Sequence, residues 1–340
     1  MPRVSSLDGL RGLACLLVVS MHASRVFPAA GFLGVALFFV LSGYLITSLL
    51  LNEIETTDRV QFGRFYALRC ARLLPPIPIV YVICCVLAVI GAANFPFIAP
   101  HDVPVILFVS NFWLSQHVNP FPPLSHFWTL SIEWQFYFVW PFLLLVLVRV
   151  SSRGWLIWIC FFGVLLSCYV RIVTNIDTRG LMVGAMIAAI ARDGRYRMMA
   201  TSGLALVAAP LALATILALA CLGSATPWWF KWGPDLVVAL SGIVIFVCVN
   251  TDHPWLSPIL SHNVLRYFGR ISYGLYVYHF PLALTTFCEA LSPWQRALVV
   301  IPLSIVIADL SWRWLEAPLL ERARNLRLGP KLTPEASRAV

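Results

Sequence analysis

The sequence predicts an all-α membrane protein, a bundle of about ten transmembrane helices. Of its 340 residues, 60% are hydrophobic and only 11% are charged, and the mean hydropathy is +0.84. A soluble domain has about a quarter charged residues, so this chain has too few charges to cover a globular surface. The net charge of +9 is explained by arginines in loops on one side of a membrane. We therefore expect the lipid bilayer, and not nucleic acid, as its partner.

The spans are placed by length, because a helix that crosses the hydrocarbon needs about 20 mainly apolar residues. Ten segments are assigned, at about 8–27, 32–51, 75–95, 127–149, 154–173, 180–192, 200–222, 235–250, 271–290 and 295–315. The segment 180–192 is short for a span. The apolar stretch 103–114 is shorter than a span requires, which favours a re-entrant or interfacial segment. The first segment has no small-residue cleavage site after it, so we interpret it as a retained helix and not a signal peptide.

The distribution of basic residues predicts the orientation. With the N-terminus in the cytoplasm, 19 of the 24 lysines and arginines fall in inside segments, which is the bias expected of cytoplasmic loops. Both termini are then cytoplasmic. Residues 1–318 form the predicted membrane domain, and residues 319–340 form a basic cytoplasmic tail. The nine cysteines include no CxxC pair and no His/Cys cluster with zinc spacing, so we predict no metal site.

The first helix carries an arginine and a histidine within its apolar run, Arg11 and His22. Eleven residues correspond to about 1100° of helical rotation, so both side chains leave nearly the same face, about 16 Å apart along the axis. Ionisable groups inside a membrane are functional candidates by default. The structural alternative is a snorkelling arginine and a histidine bonded to a neighbouring helix.

A carboxylate in the fourth span is the second candidate. Glu133 lies in "HFWTLSIEWQFYFVWP", about two turns from the outer end, a depth that His22 could share. A carboxylate beside a histidine fixes the tautomer of the ring and supports its charged form. We therefore predict that Glu133 orients His22. His126, nearer the predicted surface, is expected to be interfacial.

The segment "FGRFYALRCARLLPP" contains Arg64, Arg69 and Arg72 just before the third span. It is typical of a basic interfacial helix. It also suits a cytoplasmic anion site, because arginine forks match phosphate geometry, and the two interpretations are compatible.

Several further polar residues are channel or acceptor candidates. Ser42 lies mid-span beside a glycine, where either close helix packing or a channel-lining hydroxyl would explain it. The others fall in two groups: Tyr273, Tyr276 and His279 in "ISYGLYVYHFPL", and Asp177 with Arg179 at an outer boundary. His279 is as well explained by structural hydrogen bonding as by catalysis. For Asp177 and Arg179 a structural ion pair is the leading interpretation and acceptor binding the second.

Six motifs in order resemble the acyltransferase-3 family of membrane O-acyltransferases. They are Arg11 with His22, "FFVLSGYLI", "RFYALRCARLLP", the glutamate in "HFWTLSIEWQFY", "SYGLYVYHFP" and "WRWLEAP", and they extend from residue 7 to about 318. The resemblance implies transfer of an acyl group, often acetyl, from a cytoplasmic acyl-CoA co-substrate, with no bound cofactor. The implied acceptor is a hydroxyl of a sugar, glycolipid or cell-surface polysaccharide, commonly across the bilayer, and the implied location is a bacterial inner membrane.

The resemblance places the functional arginine and histidine of the family at Arg11 and His22, and its RxxR feature at Arg69 and Arg72. Some members carry a fused extracytoplasmic esterase-like domain, which is not expected here. Acyl transfer to an alcohol needs a base near the hydroxyl, a role we assign to His22, with a transient acyl-histidine as the alternative. Two other classes compete: a proton-coupled transporter, for which no inverted repeat is evident, and a purely structural subunit, which explains the buried polar residues poorly.

Overall fold

The computed structural model describes residues 4–93, 103–112, 122–150, 153–174, 177–223 and 227–326. All regular secondary structure in these ranges is helical, which confirms the all-α prediction. The first eight helices are α1 (Ser5–Ser24), α2 (Ala30–Thr57), α3 (Phe62–Leu73), α4 (Pro76–Val89), α5 (Val103–Ile106), α6 (Trp128–Val150), α7 (Arg153–Thr174) and α8 (Arg179–Ile190). The next eight are α9 (Gly194–Ala200), α10 (Gly203–Leu222), α11 (Pro227–Asn250), α12 (Leu256–Leu260), α13 (Asn263–Ala283), α14 (Thr286–Ala290), α15 (Pro293–Ser311) and α16 (Ala317–Asn325). A 3₁₀ turn (Pro122–Phe127) precedes α6, and a π-helical turn (Trp312–Glu316) joins α15 to α16.

Seven helical segments in the described ranges are long and apolar enough to cross a membrane. They are Ser5–Ser24, Ala30–Thr57, Phe62–Val89, Pro123–Val150, Gly203–Leu222, Trp232–Asn250 and Pro293–Asn325. All ten predicted spans overlap a helix, but α7, α8 and α13 are not among the seven. A polytopic helical protein is therefore established, whereas the count of ten and the cytoplasmic placement of both termini stay predictions.

The ninth predicted span begins earlier than expected. We predicted a loop over 251–270, but α13 begins at Asn263, where the His262 side chain accepts the backbone N–H of Val264 at 3.4 Å. Arg266 and Arg270 therefore lie on the helix and not in a loop. Arg266, Tyr267 and Arg270 lower the hydropathy of this part of the chain, although they do not interrupt the helix.

The C-terminal helix crosses the predicted domain boundary at residue 318. Leu320 and Ala323 of α16 pack against Leu68 of α3. The beginning of the predicted tail is thus part of the packed bundle, and residues 327–340 lie outside the described residues.

Small residues allow α1 and α13 to approach closely. A Cβ added at Gly269 of α13 would overlap the backbone carbonyl of Asp8 on α1, and one added at Gly9 would overlap that of Leu260 at the end of α12, just before α13. Gly12 likewise faces the carbonyl of Leu265. Small residues are the usual means of close helix packing in membranes. This contact fixes the two helices that carry the histidines described below.

The packing of α2 against α8 follows the same rule. A Cβ at Gly43 would overlap the carbonyl of Leu181, and one at Gly184 would overlap that of Val40. The small residues next to Ser42 therefore serve helix packing, one of the two explanations that the sequence left open.

The stretch 103–112 lies against α6 as a short polar-anchored segment. Ser110 and Ser131 share a hydrogen bond of 2.7 Å between their hydroxyls. The amides of Asn111 and Gln135 bond each other at 2.8 and 3.1 Å. The helix α5 in this stretch has four residues. Residues 113 and 114 of the predicted segment lie outside the described residues, so its re-entrant or interfacial character stays a prediction.

Candidate active site

A cavity opens between α1, α2, α3, α6 and α13, with about 650 Å³ of empty space when its open mouth is included. Seven of the predicted site residues line it: Arg11, Ser42, Arg69, Arg72, Glu133, Tyr273 and Tyr276. They come from positions up to 265 residues apart in sequence, between 11 and 276. The fold therefore brings together most of the residues that the sequence singled out, although His22, Arg64, His279, Asp177 and Arg179 do not line this cavity.

The Glu133 carboxylate is held by two hydroxyl groups. Its Oε1 accepts hydrogen bonds from the Ser42 hydroxyl and from the Tyr137 hydroxyl, the latter at 2.7 Å. Tyr137 lies one turn after Glu133 on α6, so the spacing of four places both groups on one face. This geometry fixes the carboxylate in the cavity and explains the mid-span Ser42 as a lining hydroxyl as well as a packing residue.

Three arginines give the cavity its charge. Arg11 projects from α1, and Arg69 and Arg72 project from adjoining positions on α3. The guanidinium of Arg69 lies 5.5 Å from the Phe65 ring centre and 5.8 Å from that of Tyr137, and its Nε is buried without a hydrogen-bond partner. Among the described residues, no ion pair within 4 Å joins these arginines to a carboxylate. An anionic ligand would compensate them.

Arg72 has a second environment at the end of the cavity. Its guanidinium lies 6.0 Å from the ring centre of Trp312, which begins the π-helical turn. Glu316, at the end of that turn, is buried and accepts a hydrogen bond of 2.9 Å from Ser311. Glu316 also interacts electrostatically with Arg72. The sequence motif "WRWLEAP" therefore lies beside the arginines of the cavity, a contact that the sequence did not reveal.

His22 is bonded to His279 and not to Glu133, so the predicted pairing is wrong. His22 Nδ1 lies 2.9 Å from His279 Nε2, and His279 Nδ1 lies 3.1 Å from the carbonyl oxygen of Leu275. Estimated depth along each helix allowed Glu133 to lie level with His22. Depth does not say which way a side chain points, and His279 of the adjoining α13 occupies the position beside His22.

This chain of contacts fixes the tautomer of His22. A carbonyl oxygen can only accept, so His279 Nδ1 carries the proton and donates it to Leu275. His279 Nε2 then has a lone pair and accepts from His22 Nδ1–H. The remaining nitrogen of a neutral His22, Nε2, is left with a free lone pair. This is the protonation state that a general base requires.

A third histidine lies beside this pair. The ring of His126 is 5.5 Å from that of His279 and 5.2 Å from that of Tyr276, measured between centres. We expected His126 to be interfacial, but it is only 4% exposed, because the 3₁₀ turn before α6 folds it inward. Proximity along the sequence to a predicted helix end was therefore a poor guide to burial.

Tyr276 separates the arginine cavity from the histidines. Its side chain lines the cavity, and its ring centre lies 5.7 Å from that of His279. Its hydroxyl donates to the carbonyl oxygen of His126 at 2.7 Å and shares a 2.6 Å contact with the Thr129 hydroxyl. Tyr273 bonds the carbonyl oxygen of Leu73 at 2.5 Å and so fastens α13 to the end of α3. Both tyrosines are therefore part of the wall.

The remaining predicted residues lie elsewhere. Arg64 lines a smaller cavity of about 240 Å³ together with Glu53 and Arg69, directly next to the main one. Arg179 donates to both carboxylate oxygens of Asp177, at 2.6 and 2.8 Å, and also pairs with Asp235. The pair of Arg179 with Asp177 is the structural ion pair that was the leading interpretation.

Comparison with known proteins assigns the family. Residues 4–313 match the family model described as "Acyltransferase domain". The chain belongs to this acyltransferase family. It is 32% identical to the peptidoglycan O-acetyltransferase OatA of Listeria monocytogenes over 93% of this chain and 56% of that protein. It is 28% identical to the O-acetyltransferase OatA of Staphylococcus aureus over 98% of this chain and 60% of that protein.

The acyltransferase thus spans somewhat more than half the length of these curated relatives. No solved structure matches it. The family resemblance inferred from the sequence is confirmed, and membership in an acyltransferase family leaves the transporter and structural-subunit alternatives without support.

Proposed function

We propose that this acyltransferase moves an acetyl group from cytoplasmic acetyl-CoA to a hydroxyl of a cell-wall polysaccharide across the inner membrane of a bacterium. One observation carries the proposal: three arginines that have no acidic partner within 4 Å among the described residues share a cavity. The far wall of this cavity, Tyr276, adjoins His279, which is hydrogen-bonded to His22 and leaves the Nε2 of His22 free. The named activity of the relatives supports acetyl as the acyl group and peptidoglycan as the polysaccharide.

The arginine cavity suits the donor. Acetyl-CoA is an anion whose phosphates lie at one end and whose thioester lies at the other. Arg11, Arg69 and Arg72 would bind the phosphate-bearing part, because guanidinium groups pair with phosphate in a bidentate manner. Arg64, in the adjoining smaller cavity, would extend the same positive surface. The thioester would then point toward Tyr276 and the histidines.

His22 would act as the general base. Its Nε2 takes the proton from the acceptor hydroxyl, and the oxygen attacks the thioester carbonyl. The new carbon–oxygen bond forms, the carbon–sulfur bond breaks, and the proton passes from His22 to the leaving thiolate of CoA. No redox step or further reactant is needed. A base of this kind contributes about 10²- to 10⁴-fold to rate.

The test is acetyl transfer by purified protein in lipid vesicles, with labelled acetyl-CoA and a peptidoglycan fragment as acceptor. The wild type is compared with His22→Ala and with His262→Ala, an exposed histidine that only caps α13. We expect His22→Ala to lose at least 100-fold in kcat, and His262→Ala to keep wild-type kcat. Wild-type transfer by correctly folded His22→Ala protein would refute the assignment of the base.

A further inference from the structure

A fourth arginine, Arg296, lies buried in the first turn of α15. It is 4% exposed, and its Nε is buried without a hydrogen-bond partner. No hydrogen bond or ion pair of its side chain is found in the described part of the chain. A buried cation without a partner is costly, and such sites are retained where a ligand or function compensates the charge.

Neighbouring charges do not neutralise Arg296. Arg25 and Glu289 are the charged residues that act on it electrostatically. These two pair with each other, with 3.7 Å between guanidinium nitrogen and carboxylate oxygen, and half or more of each side chain is exposed. Arg296 therefore keeps a surplus positive charge within the bundle, beside a surface pair that is already satisfied.

The position of Arg296 on α15 directs it toward His22. Val300, one turn further along, is buried against Ala23 of α1 and against Leu282 of α13, which follows His279 by three residues. Residues four apart share a helix face, so Arg296 faces the same junction, where Ala23 directly follows His22. The charge of Arg296 acts on His22. Arg296 is thus at the end of α1 that carries the base, away from the donor arginines.

We propose that Arg296 is a binding site for a carboxylate on the acceptor, next to the hydroxyl that His22 activates. The guanidinium fork matches a carboxylate in a bidentate arrangement. The site would select acidic saccharides over neutral ones of equal size. The identity of the ligand as the acceptor rests on the proposed function, although binding of the ligand requires no acetyl transfer.

The experiment measures binding without acetyl-CoA, by calorimetry on full-length protein in nanodiscs of phosphatidylcholine. Two probes are compared: the disaccharide of N-acetylglucosamine and N-acetylmuramic acid, which carries a free carboxylate, and neutral di-N-acetylchitobiose. We expect the wild type to prefer the acidic disaccharide by about tenfold, the scale of one charge-assisted hydrogen-bonded pair. Arg296→Gln removes the preference, and Arg296→Lys restores part of it, since lysine keeps the charge but not the fork.

Arg25→Gln is the matched control, since it removes an arginine from the same end of the protein that is exposed and already paired. It should keep the preference for the acidic disaccharide. Equal affinity of wild-type protein for both disaccharides, or a preference that survives Arg296→Gln, overturns the proposal. Charge-selective binding in a protein that fails to transfer acetyl groups would overturn the proposed function and leave the site in place.

Discussion

His279 is predicted to set the rate of transfer without touching the substrate. It is fully buried, and its Nε2 receives the Nδ1–H of His22 at 2.9 Å. The substitution His279→Ala removes that acceptor. His22 is then free to carry its proton on Nε2, where it cannot act as a base. His279 is in this sense a positioning residue.

The size of the effect follows from the hydrogen bond. Leaving a buried donor without its acceptor costs about 1–3 kcal/mol, and about 1.4 kcal/mol corresponds to a tenfold change in population. The backbone carbonyl of Val18, one turn back on α1, remains as an acceptor for the ring of His22. We therefore expect kcat to fall by about tenfold, near the lower end of the 5- to 150-fold range these energies give. The KM for acetyl-CoA should not change.

The assay is steady-state acetyl transfer in proteoliposomes, normalised to the fraction of correctly folded protein. His279→Gln should recover part of kcat, because its side-chain carbonyl is an acceptor. The control is His253→Gln, a buried histidine bonded at 3.0 Å to the carbonyl oxygen of Leu206 on α10, a helix that does not line the cavity. A kcat within twofold of wild type for folded His279→Ala protein would refute the tautomer argument.

Two further predictions concern the proposed donor cavity and the helix packing. Arg72→Gln should raise the KM for acetyl-CoA by about tenfold. The control Arg313→Gln, at an exposed arginine, should leave this KM unchanged. Equal KM values for the two variants would show that Arg72 does not bind the donor. Gly269→Ala should lower stability by about 1–3 kcal/mol, because its Cβ would overlap the carbonyl of Asp8. Thermal unfolding in detergent measures this against Gly63→Ala, where a Cβ meets nothing within 4 Å. Equal melting temperatures would contradict the close packing of α1 on α13.

Hydropathy and local spacing predicted much of this protein. Helix formation in a membrane satisfies the backbone within one segment, so a run of apolar residues locates a helix without knowledge of its neighbours. The ten predicted spans accordingly all overlap helices. The helix boundary at Asn263 was not predicted, because arginines lower the mean hydropathy of a segment to that of a loop even where the segment is helical.

Local spacing also identified most of the cavity. Arg69 and Arg72 are three residues apart and therefore neighbours on α3, and both line the cavity with Arg11. Polar residues in an apolar chain are rare enough to be noticed one by one, which is why Ser42 and Glu133 were among the candidates.

The sequence by itself determined which segments are helices and which polar side chains lie within them, because both properties depend on residues close together in the chain. Only the tertiary structure decided their partners. In that structure His22 is hydrogen-bonded to His279, 257 residues away, and the Glu133 carboxylate accepts hydrogen bonds from two hydroxyl groups. Arg296 is buried and has no acidic partner within 4 Å among the described residues. The rotation of each helix and the choice of its neighbour set these contacts. Both depend on the close approach of distant glycines and carbonyl groups, which no local pattern encodes.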